Sequence, residues 1–284
     1  MIIPIYQPSL SGNEKKYVME CLDSSWISSK GKYVSKFETH FADYTGVKHA
    51  TTVSNGTVAL HLALLALGIG PGDEVIVPTL TYIASVNAIK YTGAKPVFAD
   101  SERDFWQVDV QSIEKKITPN TKAILAVHLY GHPCDMPAIM DLADKFRLFV
   151  VEDCAEAIGS LIGGKHVGGF GHVSTFSFFG NKTITTGEGG MVVTNDTTLI
   201  QRAVHYKSQG LAKHREYWHD TVGYNYRMTN ICAAIGLAQM ESIELTLEKK
   251  KDLARVYFDG LKDLPITLHN QREGFSHSYW MNSI

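Results

Sequence analysis

The hydrophobic positions of the chain form short runs rich in β-branched residues, separated by amphipathic stretches of helical length. Four of these runs are 74-EVIVP-78, 95-KPVFAD-100, 122-KAILAVHLYG-131 and 148-LFVVEDC-154. This alternation predicts parallel strands joined by helices. Because the runs are almost continuously apolar, we expect helices to cover both faces of the sheet. The predicted fold class is an α/β domain with a mostly parallel central sheet flanked by helices.

The second half of the chain continues the pattern and then changes character. A further strand is predicted at 190-GMVVTND-196, followed by a helix from about Thr197 to Tyr206. A single helical pattern then extends from Thr229 to about Leu261, apolar at first and charged later. We therefore predict a large domain over residues 1–244. Residues 245–284 are predicted to be a linking helix and the start of a small α+β domain that is incomplete, since about 40 residues are marginal for independent folding.

Composition and charge exclude several classes of function. The formal charge of −2 and pI near 6.6 offer no attraction to nucleic acid or to an anionic membrane surface. The longest apolar run, 58-VALHLALLALGIG-70, is interrupted by His61 and is shorter than the roughly 20 residues of a bilayer span, so it predicts a buried helix. The N-terminus shows no secretory signal pattern. We expect a cytoplasmic protein.

Metal and disulfide chemistry are not indicated by the sequence. The twelve histidines include no H-E-x-x-H motif, so no metal site is expected. The cysteines form no C-x-x-C pair and are interpreted as reduced packing residues. They are Cys21, Cys134, Cys154 and Cys232.

Lys182 lies in an unusual setting, within 176-FSFFGNKTITTGEGG-190. Its glycine neighbours allow close approach of the backbone to a ligand, and the phenylalanines would lower the local dielectric and the pKa of the amine. A desolvated lysine is a candidate nucleophile for a carbonyl group, whereas the ordinary alternative is a solvated surface lysine. The segment is no Walker A motif, because Asn181 and Phe176 stand where glycines are required, and the chain has no G-x-G-x-x-G fingerprint in its glycine-rich stretches.

Two other groups of residues could contribute to the same site. In 54-SNGTVALHLALLAL-67, capping residues and a glycine precede a strongly helical run, which favours phosphate binding at the helix N-terminus. A plain capped helix is the alternative. In addition, three predicted strands end in polar residues, which in a parallel sheet would meet at one edge. These are His128–Gly131, Glu152–Cys154 and Ser177.

Taken together, these motifs resemble the fold-type I pyridoxal-phosphate enzymes and, more narrowly, the DegT/DnrJ/EryC1/StrS sugar aminotransferase family. The resemblance extends from about Tyr6 to the last residue. It rests on the order S-N-G-T, P-T-L-T-Y-I-A-S, E-D-x-A-x-x-x-G and S-F-x-x-x-K-x-x-x-x-G-E-G-G.

The resemblance implies a role for each matching residue. Lys182 would form an imine with C4′ of pyridoxal 5′-phosphate and shuttle a proton, while Asp153 would lie against the pyridine nitrogen. Tyr82 would stack on the ring, and Glu156, where many relatives have glutamine, would lie near the ring hydroxyl. The phosphate would be held by Asn55, Gly56, Thr57 and Ser177. Asn225 would reach the phosphate of a neighbouring subunit, which implies a homodimer.

The implied reaction is transfer of an amino group from L-glutamate to C4 of a nucleotide-linked 4-keto-6-deoxy sugar. GDP-4-keto-6-deoxymannose is favoured, in O-antigen synthesis, and a UDP- or dTDP-linked sugar is the alternative. Dehydratases of the family have histidine in place of the lysine, so Lys182 favours transamination. A non-catalytic regulatory or binding protein is the other alternative. Because family members extend further, we expect the 284-residue chain to keep the cofactor pocket but to turn over weakly or not at all.

Overall fold

The computed structural model describes residues 4–284. The central feature is a seven-stranded sheet with helices on both faces, and a separate three-stranded sheet joins residues 161–166 to residues 275–276. The helices are α1 (Glu14–Asp23), α2 (Lys32–Thr45), α3 (Gly56–Leu67), α4 (Ile83–Tyr91), α5 (Val110–Lys116), α6 (Met136–Phe146), α7 (Thr197–Lys207), α8 (Asn230–Met240) and α9 (Ile243–Leu261). The strands are β1 (His49–Val53), β2 (Glu74–Pro78), β3 (Lys95–Ala99), β4 (Thr121–Val127), β5 (Phe149–Asp153), β6 (Leu161–Ile162), β7 (Lys165–His166), β8 (Val173–Ser177), β9 (Gly190–Thr194) and β10 (Phe275–Ser276).

The large sheet has the order β1-β9-β8-β5-β4-β2-β3. Strand β9 is antiparallel to β1 and to β8, and the remaining neighbours are parallel. Residues of β2 and β9 are buried along their whole length, as expected for strands covered on both sides. The predicted α/β class with a mostly parallel sheet is confirmed. The strand β1 and the helices α1 and α2 were not predicted individually.

Helix α3 shows why the apolar run near residue 60 folds as it does. Asn55 caps its N-terminus, accepting a hydrogen bond from the Val58 N–H at 3.0 Å, and Gly68 ends it with a left-handed φ of 81°. Most of its side chains are buried, because the helix packs between the sheet and the helices α4 and α7. Burial of a leucine side chain stabilises the fold by about 1.5–3 kcal/mol, so this helix anchors one side of the core.

The prediction of one continuous helix from Thr229 to Leu261 is wrong. The helix stops after Met240 and a new one begins at Ile243. The side-chain amide of Gln239 donates hydrogen bonds to the Ser9 carbonyl (2.9 Å) and to the Glu14 carboxylate (2.5 Å). Those contacts hold the end of α8 against the N-terminal region. The proposed domain boundary at residue 244 remains a prediction.

The C-terminal residues contact the loops that follow the central strands of the large sheet. Strand β10 pairs with β6 through Phe275 and Ile162. Beyond it, the Ser278 N–H donates to the carbonyl of Gly131, which lies in a 3-10 turn directly after β4. The strand predicted for 122–131 therefore ends at Val127, because the chain turns there. No helix within residues 4–284 has the length and apolar character needed to cross a bilayer.

Candidate active site

A cavity of about 590 Å³ lies at the edge of the sheet where the parallel strands end. Its volume is within the range of about 300–1,000 Å³ that is typical of ligand pockets. The strands β5 and β8, the N-terminus of α3 and the loop before β9 all contribute to its wall. The lining includes most of the residues selected from the sequence, namely Asn55, Gly56, Thr57, Tyr82, Asp153, Glu156, Ser177 and Lys182.

One end of the cavity is the N-terminus of α3. The first N–H groups of a helix have no carbonyl partner within it, and they attract anions. Gly56 is required here by space, because a Cβ atom added to it would lie 2.7 Å from the Cβ of Ser177. The backbone of Gly56 and Thr57 and the hydroxyl of Ser177 therefore face a common space that suits a phosphate group.

Asp153 is a buried carboxylate at the end of β5. One oxygen accepts a hydrogen bond from the Ser85 hydroxyl at 2.8 Å, and the other accepts from the Ala155 N–H at 3.1 Å. Burial raises the pKa of Asp153, although both hydrogen bonds and the charge of Lys182 oppose this effect. A cationic group in the cavity would favour the ionised carboxylate.

Lys182 also lines the cavity, with its side chain only 13% exposed. Its Nζ atom is 3.7 Å from a carboxylate oxygen of Glu156 and 4.0 Å from the ring centroid of Trp280. Burial lowers the pKa of Lys182, and the nearby carboxylates of Glu156 and Asp153 counteract it. Burial raises the pKa of Glu156, against the charge of Lys182 and the N–H of Tyr130, which donates to it at 2.8 Å.

Two of the residues selected from the sequence differ in their surroundings from the rest. Tyr82 lines the mouth of the cavity but is 72% exposed. Asn225 is exposed, forms an isolated β-bridge with Ser208 and does not line this cavity. Its suggested contact with a neighbouring subunit remains a prediction. Of the phenylalanines near Lys182, Phe176 and Phe179 line the cavity, whereas Phe178 packs against Phe37 and Phe41 in the core.

Three residues around the cavity were given no individual role from the sequence. Ser85 could have been found, because it follows Tyr82 by three positions and so shares the first turn of α4. Tyr130 contributes a backbone N–H, which depends on its left-handed φ of 58° and has no sequence signal. Trp280 comes from nearly one hundred residues further along the chain, so no local pattern could place it against Lys182.

The polar residues that end β4 and β5 do not all belong to the cavity. Glu152 points to the other side of β5 and is fully buried. Its carboxylate accepts hydrogen bonds from the His128 imidazole (3.1 Å) and the Ser174 hydroxyl (3.0 Å). It also accepts from three backbone N–H groups, those of Gly168, Phe170 and Gly171. Glu152 thus fixes the 168–171 loop against the sheet.

Three buried histidines hold the C-terminal segment in place, and all must be neutral to do so. His132 accepts the Arg272 N–H on Nε2 (3.1 Å), and His277 accepts the Tyr279 N–H on Nδ1 (2.9 Å). His277 donates through Nε2 to Nδ1 of His269 (3.4 Å). Burial lowers the pKa of His132 to about 4 and that of His277 to about 2. Protonation of either imidazole would remove an acceptor.

We expect the protein to lose stability as the pH falls. The folded-state pKa values of His132 and His277 lie below the unfolded value of about 6.5, so the unfolded chain binds more protons below that pH. The stabilisation is complete above about pH 6.5 and is lost progressively below it, down to about pH 4 for His132 and about pH 2 for His277. From about pH 7.5 to about pH 5 each of these two histidines should remove about 2 kcal/mol from the free energy of unfolding.

Urea denaturation at several pH values would measure this loss. The substitution His277→Asn, which keeps an acceptor for Tyr279, should weaken the pH dependence. Substitution of the exposed His40 by glutamine should leave it unchanged. Equal pH dependence in wild type and His277→Asn would contradict the prediction.

The chemical groups that line the cavity match those of pyridoxal phosphate. A helix N-terminus next to Gly56 suits the phosphate, a buried carboxylate at Asp153 suits a protonated ring nitrogen, and the amine of Lys182 suits an aldehyde. On a mostly parallel α/β sheet, this set of groups defines a pyridoxal-phosphate-dependent aminotransferase.

Comparison with known proteins places the chain within that class. It belongs to the DegT/DnrJ/EryC1/StrS aminotransferase family, whose model matches residues 8–284. It is 66% identical over 282 residues to GDP-perosamine synthase of Escherichia coli O157:H7, an alignment that covers 99% of this chain and 77% of that protein. GDP-perosamine synthase of Vibrio cholerae is 57% identical over 283 residues, covering 100% of this chain and 77% of the relative. The crystal structure of S. venezuelae DesV in complex with a ketimine intermediate superposes with a TM-score of 0.91 at 39% identity, over 95% of this chain and 72% of DesV.

Proposed function

We propose that this chain transfers an amino group from L-glutamate to C4 of GDP-4-keto-6-deoxymannose, a step that forms GDP-perosamine for O-antigen synthesis. Amino transfer is supported by one observation above all, the buried Nζ atom of Lys182 facing Glu156 inside the cavity. The choice of sugar is supported by the two relatives named GDP-perosamine synthase, at 66% and 57% identity. A UDP- or dTDP-linked keto sugar is the alternative substrate.

Different residues of the cavity would bind different parts of the cofactor. When bound, pyridoxal phosphate supplies an aldehyde that combines reversibly with amines and a ring that takes up electron density. The backbone of Gly56 and Thr57, with Asn55 and Ser177 beside them, would bind the phosphate. Asp153 would favour a protonated ring nitrogen, and the exposed ring of Tyr82 would cover one face of the cofactor.

Lys182 would carry the proton during the reaction. Its Nζ atom would take a proton from the α-carbon of glutamate and, in the second half of the cycle, deliver one to C4 of the sugar. Burial supports this role, because a lowered pKa increases the fraction of neutral amine at neutral pH. Glu156 would keep the amine directed into the cavity, since its carboxylate is itself held by the Tyr130 N–H.

Glu156 also bears on the choice of substrate. By the resemblance found in the sequence, many family members have glutamine where this chain has Glu156, and the glutamate favours a perosamine-type substrate. Asn225 would act in the cavity of a second copy, so the active unit would be a homodimer; its exposure in the single chain is compatible with that role. The cytoplasmic location remains a prediction.

Product analysis tests the proposal directly. The protein, supplied with pyridoxal phosphate and L-glutamate, would be incubated separately with GDP-, UDP- and dTDP-linked 4-keto-6-deoxy sugars, and the products measured by mass spectrometry. We expect the amino sugar to form fastest from the GDP-linked sugar. Formation only from a UDP- or dTDP-linked sugar would reject the proposed substrate, and no product from any sugar, with no visible absorbance from bound cofactor, would reject the enzyme.

A further inference from the structure

The indole of Trp280 covers the amine of Lys182. Its ring centroid is 4.0 Å from Nζ, which places the amine over the ring face. The side chain is only 9% exposed, and its Nε1–H donates to the carbonyl of Asn181 at 2.9 Å. Asn181 precedes Lys182, so Trp280 contacts both the side chain and the adjoining backbone of the lysine. The face of an indole attracts a cation electrostatically, and most strongly where water is excluded.

Trp280 is held firmly by its own neighbours. Its carbonyl accepts a hydrogen bond from Nζ of Lys250 at 3.2 Å, which ties it to α9. The preceding residue, Tyr279, has a left-handed φ of 51°, and its N–H is bound by His277. A non-glycine residue in this conformation persists only where the surrounding contacts require it. The direction of the indole is therefore imposed by the tertiary structure.

The same turn of the chain positions both partners of Lys182. Tyr130 donates its N–H to Glu156 at 2.8 Å, and its ring stacks with the indole of Trp280 at an interplanar angle of 14°. The next residue, Gly131, accepts the N–H of Ser278. A Cβ atom at Gly131 would lie 2.6 Å from the Ser278 hydroxyl, so the turn and the C-terminal segment fit closely.

We propose that Trp280 is a positioning residue for Lys182, holding its amine between the indole face and Glu156 and stabilising the ammonium form. This inference rests on the proposed function, in which the lysine moves the proton. The charged groups that share the cavity with the amine are Asp153 at the end of β5, Glu156 three residues later and Glu188 in the loop before β9, while Nζ of Lys250 donates to the Trp280 carbonyl. Trp280 adds to this set an uncharged group that favours the cation without adding a negative charge.

Two substitutions of Trp280 distinguish the attraction of the ring face for the ammonium group from the mere exclusion of water by an apolar side chain. Trp280→Leu removes the ring but leaves an apolar cover, so the pKa of Lys182 should fall by about 0.5–1. Trp280→Phe keeps a ring with a weaker attraction and should give a smaller fall. The pair of Lys145 and Phe146 is the matched control, because that ammonium lies 5.0 Å from a ring centroid on the exposed surface. Phe146→Leu should not change the pKa of Lys182.

The measurement is the pH dependence of amine labelling. The full chain without added cofactor would be labelled with acetic anhydride across a range of pH, and the peptide containing Lys182 quantified by mass spectrometry. Circular dichroism would confirm that each variant is folded. The proposal is supported if the pKa of Lys182 falls in Trp280→Leu and falls less in Trp280→Phe. An unchanged or raised pKa in folded Trp280→Leu would overturn it.

This test stands apart from the proposed function, because labelling requires no turnover. If no keto sugar is aminated and no bound cofactor absorbs visible light while the labelling shift is found, the proposed function fails and the positioning role stands. If the wild type forms the product, and the pH dependence of Lys182 labelling is the same in Trp280→Leu as in the wild type, only the positioning role fails.

Discussion

Substitution of Lys182 by alanine is expected to lower the rate of amino transfer by about 10⁴-fold, the upper end of what a positioned acid–base group contributes. The reason is that one amine would serve two roles, binding the cofactor aldehyde and moving the proton. No other lysine among the residues that line the cavity could replace it. The rate would be measured by mass spectrometry of the amino sugar formed from GDP-4-keto-6-deoxymannose and L-glutamate.

A chemical readout accompanies the kinetic one. After incubation with pyridoxal phosphate, borohydride should couple the cofactor irreversibly to the peptide that contains Lys182, and the alanine variant should show no such adduct. Lys165→Ala, which removes an exposed lysine on β7, is the control and should behave as wild type. If the Lys182→Ala variant kept more than about a tenth of the wild-type rate, the role assigned to the lysine would be wrong.

Substitution of Glu152 by leucine should destabilise the protein by about 3–5 kcal/mol. The carboxylate is fully buried, and the change would leave the N–H groups of the 168–171 loop and the His128 imidazole without their acceptor. Because domains are stable by only about 5–15 kcal/mol, much of the total would be lost. Urea denaturation monitored by circular dichroism would measure the change in the free energy of unfolding.

A matched surface glutamate provides the control for this loss. Glu114 forms an exposed ion pair with Lys145 at 2.8 Å, and its substitution by leucine should cost no more than about 1 kcal/mol. Glu152→Gln keeps the shape and one acceptor oxygen, so it should be intermediate. A cost below about 1 kcal/mol for Glu152→Leu would show that the buried hydrogen bonds are not what holds the loop.

The parts of the candidate site that depend on short stretches of consecutive residues could be predicted from the sequence. Asn55 and Gly56 precede an apolar helical run, and Lys182 is flanked by glycines, so capping and backbone freedom are local properties of the chain. Asp153 ends a continuous apolar strand, which places it at the functional edge of a parallel sheet. The surroundings of these groups were less predictable. The pKa of Lys182 is lowered as expected, and Phe176 and Phe179 line the cavity, but Phe178 packs in the core and it is Trp280 that covers the amine.

The break between Met240 and Ile243 shows that long-range contacts also limited the prediction of the fold. Helical periodicity continues through that point, but the helix is interrupted there, next to Gln239, which is bound to Ser9 and Glu14 more than two hundred residues earlier. Likewise, Glu152 and Asp153 are adjacent in the sequence, and both looked functional. Alternation of side chains along β5 sends one into a closed hydrogen-bond network and the other into the cavity.

The amino-acid sequence by itself determined the α/β layout and the capped start of α3, and it singled out Lys182 as a candidate, because periodicity, capping and glycine freedom act over a few neighbouring residues. Only the tertiary structure decided what surrounds Lys182. Glu156, the Tyr130 N–H and Trp280 come from separate segments, and their meeting depends on left-handed backbone at Tyr130 and Tyr279 that packing imposes. The protonation of the amine follows from burial and from those long-range contacts, which no local pattern encodes.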